Sequence, residues 1–209
     1  MKILITSAAS SLAQNLATTL APNHEIRLTE REPVQTHFPF FQNPLSHDET
    51  VEQLMVGIDA VVHVAESLVT DDEFAQLDYM TRCTYNLLTA ASGSGIQHFI
   101  YLSTLDLFQP YQSQYRVDER WRPKPSPEPT VLGKHLGEYV CREFARERKT
   151  KVTVLRVNTQ REVAAISISA EGSRLPDANQ VELAQVIERS LTENADIWTI
   201  RHVVAKTYR

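Results

Sequence analysis

The chain has 209 residues, 42% of them hydrophobic, with a formal charge of −5 and a pI near 5.8. That size and apolar content suit one globular domain, and the acidic balance argues against a nucleic-acid or anionic-membrane surface. No run approaches the ~18 consecutive apolar residues of a membrane span.

The first element is Ile3-Leu4-Ile5, short and branched enough for a buried parallel strand. Three apolar residues before Thr6-Ser7 are fewer than the roughly 7–15 of a secretory core, so the segment reads as a strand; with two cysteines in helical patterns and no metal motif, the chain reads as cytoplasmic. A small-residue turn, Thr6 to Ser11, follows, and Leu12, Leu16 and Leu20 then recur at helical spacing. Strand, tight turn and helix in this order open a doubly wound nucleotide-binding sheet. Such turns are rich in glycine, because the backbone bends sharply and lets a pyrophosphate approach the helix N-terminus. Here the first glycine is Gly57, and Ser7, Ser10 and Ala13 stand at the three places of a G-x-x-G-x-x-G pattern. A serine where φ must be positive costs on the order of 1 kcal/mol and crowds the pyrophosphate, although its hydroxyl can also bond phosphate.

Pro22-Asn23 ends the helix, and Glu25 to Thr29 alternates as a second strand that ends at Glu30-Arg31. An acid at that tip, roughly 20 residues past the turn, is where a dinucleotide fold binds the adenosine ribose; a solvated strand-end charge is the alternative. Residues 32–49, with three prolines, read as a loop holding a short third strand at best. Glu52 to Val56 reads as a short helix and Asp59 to Ala65 as a buried strand, with His63 a core or strand-end histidine.

A long helix is expected from about Asp72 to Ser92, with Phe74, Leu77, Thr81, Tyr85 and Leu88 on one stripe and Gly93 as C-cap. Gln97 to Ser103 is the fifth strand, and Thr104 to Phe108 leaves its carboxyl end, where doubly wound sheets bind ligands. Gln109 to Pro129, with five prolines, reads as a surface loop. Val131 to Arg148 follows as an amphipathic helix and Val152 to Val157 as a buried strand. A weak strand at Ala164 to Ser169, a loop to about Asn179, a helix from Val181 to Leu191 and a strand from Trp198 to Ala205 complete the pattern. Strands alternating with helices predict an α/β protein with a doubly wound parallel sheet in three layers. Cys83 and Cys141 fall in helical patterns and read as buried reduced thiols, and the seven histidines form no metal motif.

Five fragments in order resemble the NAD-dependent epimerases and dehydratases, the extended short-chain dehydrogenase/reductases. TSAASSLA at 6–13 is similar to that family's TGAAGFIG-type turn, and DAVVHVAE at 59–66 to its D-x-V-x-H-x-A-A strand. RCTYNLLTAA at 82–91 is similar to R-G-T-x-N-L-L-E-A-A, GIQHFIYLST at 95–104 to G-V-x-R-F-I-Y-x-S-S, and LGKHLGEYVCREFARERKTKVTVLRV at 132–157 to the second signature helix and its strand. The resemblance implies a Rossmann-like fold over 1–209, with 1–157 as dinucleotide-binding core and 158–209 as the remnant of a substrate lobe plus a closing helix and strand. It assigns cofactor contacts to Ser7, Ser10, Ser11, Leu12, Glu30, Arg31, Val64, Ala65, Leu102, Lys134 and Val157. Glu30 favours NAD, while Arg31 leaves NADP open. Glu66, where the family has a small residue, would repel phosphates if its carboxylate entered the cleft.

The family's chemistry uses a tyrosine four residues before a lysine, whose charge lowers the phenol's pKa, and a Ser or Thr that bonds the substrate oxygen. By position Thr104 takes the Ser/Thr place, Lys134 the lysine and Thr130 the tyrosine place. An aliphatic hydroxyl is far too weak an acid to replace a phenol. Three readings therefore compete. One is a weakly active or non-catalytic NAD(P)-binding descendant, a nucleotide-sensing or interaction module that uses the fold as scaffold. Another is an active oxidoreductase or epimerase on a sugar-nucleotide or similar hydroxyl or carbonyl substrate, with Tyr111 or Tyr115 as displaced proton donor. A third treats Lys134 as a surface helix lysine. About fifty residues after Val157 leave a pocket that is small, open or completed by a partner, and helices 72–92 and 131–148 correspond to those that pair in homodimeric relatives.

Overall fold

A computed structural model describes residues 1–66, 72–112, 115–158, 178–193 and 196–203. Seven strands, β1 (Lys2–Ile5), β2 (Glu25–Glu30), β3 (Phe40–Gln42), β4 (Ala60–His63), β5 (His98–Thr104), β6 (Lys151–Val157) and β7 (Trp198–Val203), form one parallel sheet in the order β3-β2-β1-β4-β5-β6-β7. From β1 the chain winds outward through β2 to β3, then returns to β4 on the other side of β1. That reversal opens a crevice at the carboxyl ends of β1 and β4, where open α/β sheets take ligands.

Strand alternation divides the core. Ile3 and Ile5 face one side with α1 (Ser11–Leu20) and Leu183 and Ile187 of the last helix, α7 (Ala178–Thr192). Leu4, Val61, Phe99 and Tyr101 face the other, against a long helix interrupted by a π turn and α6 (Pro129–Arg146). Three layers result, as expected. Cys83 and Cys141 are buried and free. Among the described residues no helix is long and apolar enough to cross a membrane.

Several boundaries differ from the sequence reading for identifiable reasons. The short helix α2 is Glu49–Leu54 rather than 52–56, because the Asp48 carboxylate caps it by accepting the Thr50 N–H at 2.9 Å. The long helix is α3 (Glu73–Asp78), a π turn (Tyr79–Cys83) and α4 (Thr84–Gly93). A π turn inserts a residue and so rotates everything beyond it. The expected single stripe is broken accordingly: Phe74 is 83% exposed while Tyr79, Leu87 and Leu88 are buried. The terminating glycine is Gly95 (φ +73°), not Gly93, and the Ile96 N–H returns to the Ala91 carbonyl at 3.0 Å.

Residues 105–112, expected as strand exit and loop, form a 3₁₀ turn (Leu105–Phe108) and α5 (Gln109–Gln112), and the proline run ends with Pro129 opening α6. The helix α7 begins at Ala178, where a loop was expected. The expected strand at 164–169 and positions 204–205 lie outside the described residues.

Gly133 and Gly137 let α6 lie directly on the π turn. A Cβ at Gly133 would stand 2.6 Å from Met80 Sδ, and one at Gly137 would overlap Tyr101 Oη and stand 2.7 Å from the Met80 carbonyl oxygen. This close approach sets where α6 delivers its lysine.

Candidate functional site

The β1–α1 turn adopts the shape its small residues predicted. Ser7 sits in the left-handed region (φ +60°), where glycine is ordinarily needed. The other two glycine places do not share that demand: Ser10 is extended (φ −76°) and Ala13 lies inside α1. Ser10 is the N-cap, its Oγ accepting the Ala13 N–H at 3.0 Å. The N–H groups of Ser11 and Leu12 lie in the first turn, where a helix supplies no internal acceptor, and they face the crevice end of α1.

Ser7 itself is fully buried. Its Oγ accepts the Glu66 N–H at 3.1 Å and is hydrogen-bonded to Tyr79 Oη at 3.1 Å. Burial pushes the Tyr79 phenol well above its ordinary pKa, and the Glu30 charge adds to the shift. Glu30, at the tip of β2, is buried rather than solvated. One of its carboxylate oxygens accepts the Ala9 N–H at 3.2 Å and the other the Arg31 N–H at 2.8 Å. Arg31 is half-buried, beside the Cys83 thiol, whose pKa is raised by burial.

Lys134 overturns the surface-lysine reading: it is 6% exposed. Its ammonium donates to the Val64 carbonyl at 2.5 Å and to the Leu102 carbonyl at 2.7 Å. Three positions assigned from sequence thus meet at one point, where β4 and β5 end. Ala65 (φ +55°) and Val157 are buried beside them, and the β5–β6 register pairs Thr104 with Val157. Thr104 is buried and caps the 3₁₀ turn, its Oγ1 donating to Asp106 Oδ2 at 2.9 Å and accepting the Asp106 N–H at 3.1 Å.

Thr130, in contrast, is exposed in the first turn of α6 and donates to Glu128 Oε1 at 2.6 Å. The two loop tyrosines gather on Trp121: Tyr111 meets it edge-on at 5.1 Å with Lys124 Nζ over its other face, and Tyr115, 56% exposed, lies 5.4 Å away.

Two buried networks support the site and escaped the sequence reading. The first runs through His63. Thr84 Oγ1 donates to the Met80 carbonyl, so it accepts from His63 Nε2–H at 2.9 Å. Nδ1 is then the acceptor of the Thr6 hydroxyl at 2.7 Å, and Thr6 in turn accepts the Val64 N–H. Every proton is accounted for with a neutral imidazole. Burial, and then the Lys134 charge, hold its pKa down to about 3. In the second, Arg156 forms a two-pronged pair with Glu138 at 2.8 and 2.7 Å, and Ser103 donates to the same carboxylate at 2.6 Å. The legible signals were Arg156 inside an apolar strand and Glu138 four residues past Lys134, since a buried charge demands a partner.

A model of the NAD dependent epimerase/dehydratase family matches residues 3–160. No curated protein matches the chain by sequence. Among solved structures, the UDP-N-acetylglucosamine 4-epimerase from Bacillus cereus superposes with a TM-score of 0.76 at 14% identity, over 97% of this chain and 77% of that one. The uronate dehydrogenase from Agrobacterium tumefaciens gives 0.76 at 19% identity, over 98% and 77%. A short-chain dehydrogenase/reductase superfamily protein from Agrobacterium tumefaciens, solved with bound NAD, gives 0.65 at 23% identity over 75% of this chain, which spans 49% of its length. At these identities the likeness is one of fold.

Proposed function

The chain belongs to the NAD dependent epimerase/dehydratase family, and from that premise we propose that it binds NAD at the β1–α1 crevice without performing the family's hydride transfer. The observation that carries this reading is the seat of Ser7. Its hydroxymethyl group is wholly buried and bonded to Tyr79 Oη and the Glu66 N–H, which supports a turn whose lost glycine leaves the diphosphate position open. The residues around it fit the cofactor. Ser11 and Leu12 would offer N–H groups to the diphosphate, with Ser10 fixing the turn. Glu30 would accept ribose hydroxyls, its charge favouring NAD over a 2′-phosphorylated form, and Arg31 would flank it. Lys134, with Val64, Ala65, Leu102 and Val157, would form the inner wall. NAD, when bound, supplies a hydride acceptor.

Catalysis also needs a proton acid/base at the reacting oxygen. Thr130 offers only an exposed aliphatic hydroxyl already paired with Glu128, and Tyr111 and Tyr115 are packed on Trp121. The Lys134 ammonium is directed at two carbonyls as a clasp between β4 and β5. These features support a non-catalytic role. The buried Thr104 at the end of β5 favours the second reading, an oxidoreductase or epimerase on a sugar-nucleotide or similar hydroxyl or carbonyl compound.

A homodimer through α3–α4 and α6 accords with exposed Phe74, Tyr85, Leu136 and Tyr139 and with a groove of about 720 Å³ floored by Tyr85, Val140 and Phe144. The two free cysteines accord with a reducing, cytoplasmic setting.

Thermal denaturation with millimolar NAD, NADH, NADP or NADPH tests the reading. NAD and NADH should raise the midpoint by mass action, with no redox turnover of candidate sugars; no shift with any of the four would remove it.

A further inference from the structure

A turn without glycine needs something to control the side chain that replaces it. We propose that Tyr79 is a positioning residue for the cofactor crevice: its phenol holds the Ser7 hydroxymethyl group beneath the floor and so keeps a glycine-free turn open to a dinucleotide. The proposal rests on the NAD-binding reading above.

Ser7 has one rotatable bond beyond its Cα, so its hydroxyl either lies down toward the β4 exit or stands elsewhere against the turn. In the structure it lies down, accepting the Glu66 N–H and meeting Tyr79 Oη. Neither partner alone explains the arrangement. The Glu66 N–H leaves the hydroxyl's remaining bonding capacity unused, and Tyr79 Oη, 2% exposed at the residue level, requires a partner of its own. The two buried hydroxyls bond each other, with the Thr6 side chain also in reach of the phenol.

The phenol is brought there by the helix irregularity. Tyr79 opens the π turn Tyr79–Cys83, and none of the six residues of α3 before it is buried. The buried stripe starts at Tyr79 and continues through Cys83 and Leu87. Gly133 and Gly137 clear the space α6 needs to press this turn inward. The ring lies 5.9 Å from the His63 ring, whose hydrogen bonds to Thr6 and Thr84 fix the neighbouring backbone. Three elements therefore aim one hydroxyl at Ser7.

The test is NADH binding, followed by cofactor fluorescence, in the wild type, Ser7→Gly, Tyr79→Phe and the double variant, each checked for folding by thermal melt without cofactor. Tyr79→Phe frees the Ser7 hydroxyl and weakens NADH roughly five- to tenfold, the effect of about one unmatched hydrogen bond. In the Ser7→Gly background the same change has no hydroxyl to free, so the two glycine-containing proteins bind alike within about twofold. An equal loss in both backgrounds, or none in either, overturns the proposal by making the phenol structural only. Ser7→Ala keeps the Cβ without the hydroxyl and binds NADH at least as well as the wild type; a loss of about tenfold also overturns it. If Ser7→Gly binds while the wild type does not, Ser7 obstructs the crevice, and this proposal fails while the family site stands. Binding by none of them removes the NAD reading itself.

Discussion

The Lys134 ammonium donates to the Val64 main-chain carbonyl across the top of the sheet, 70 positions away in sequence. With its second bond, to Leu102, it clasps the ends of two adjacent strands from inside the protein. A buried ammonium bound to carbonyls is stabilising only while both acceptors stay in place, since its desolvation must be offset by those charge-assisted bonds. Lys134→Met keeps the aliphatic stem and removes the clasp. We expect a loss of about 2 kcal/mol and a midpoint fall of roughly 4–8 °C for a protein of this size, with NAD-induced stabilisation reduced. Unchanged melting would show that the two carbonyls are satisfied without it.

His63 makes stability depend on pH. Its pKa lies near 3 when folded against an ordinary 6.5, so between those values the unfolded chain binds the extra proton. Its contribution is therefore fully present above pH 6.5 and is lost as pH falls toward 3, at up to about 1.4 kcal/mol per pH unit. Denaturant midpoints from pH 7 to 4 should fall in the wild type. The fall should be shallower in His63→Gln, which starts less stable. Parallel curves would count against this assignment.

Glu138 and Arg156 are both buried, and Arg156 donates two hydrogen bonds to the Glu138 carboxylate. Removing either partner strands a charge in the interior, at about 3–5 kcal/mol. Glu138→Gln and Arg156→Met should each destabilise strongly, and the double variant should cost much less than their sum. Additivity in a denaturation cycle would mean the pair is not coupled.

Gly137 is where α6 closes at once on Tyr101 of β5 and on the backbone of the π turn. Gly137→Ala sets a methyl group against Tyr101 Oη and the Met80 carbonyl, and overpacking of that kind costs about 1–3 kcal/mol. Tyr101→Phe added to it should recover part of the loss. A fully neutral Gly137→Ala would show that α6 can shift outward freely.

The legible parts of the site were those encoded by position along a strand or helix. Glu30 at the tip of β2 follows from the element end, while Thr104 and Lys134 follow from the family resemblance, which left Lys134 open to a surface reading; all three are buried. The strained place at Ser7 was readable because a tight βα turn needs one positive φ. What was not readable concerned phase and side-chain direction. The π turn carries no local signature, and without it Tyr79 could not be foreseen as a partner of Ser7. Asp48 and Gly95 moved helix ends by a few residues, as capping groups do when several candidates stand close together.

By itself, then, the order of apolar strands, helices and breaks determined a doubly wound sheet and the end at which its crevice opens, because those depend on local periodicity and the handedness of βαβ connections. Only the tertiary structure decided where the Ser7 hydroxyl of the altered turn lies. Whether a hydroxymethyl group obstructs a crevice or lies beneath it depends on hydrogen-bonding partners 59 and 72 residues away, Glu66 and Tyr79, and no short-range pattern encodes such distances.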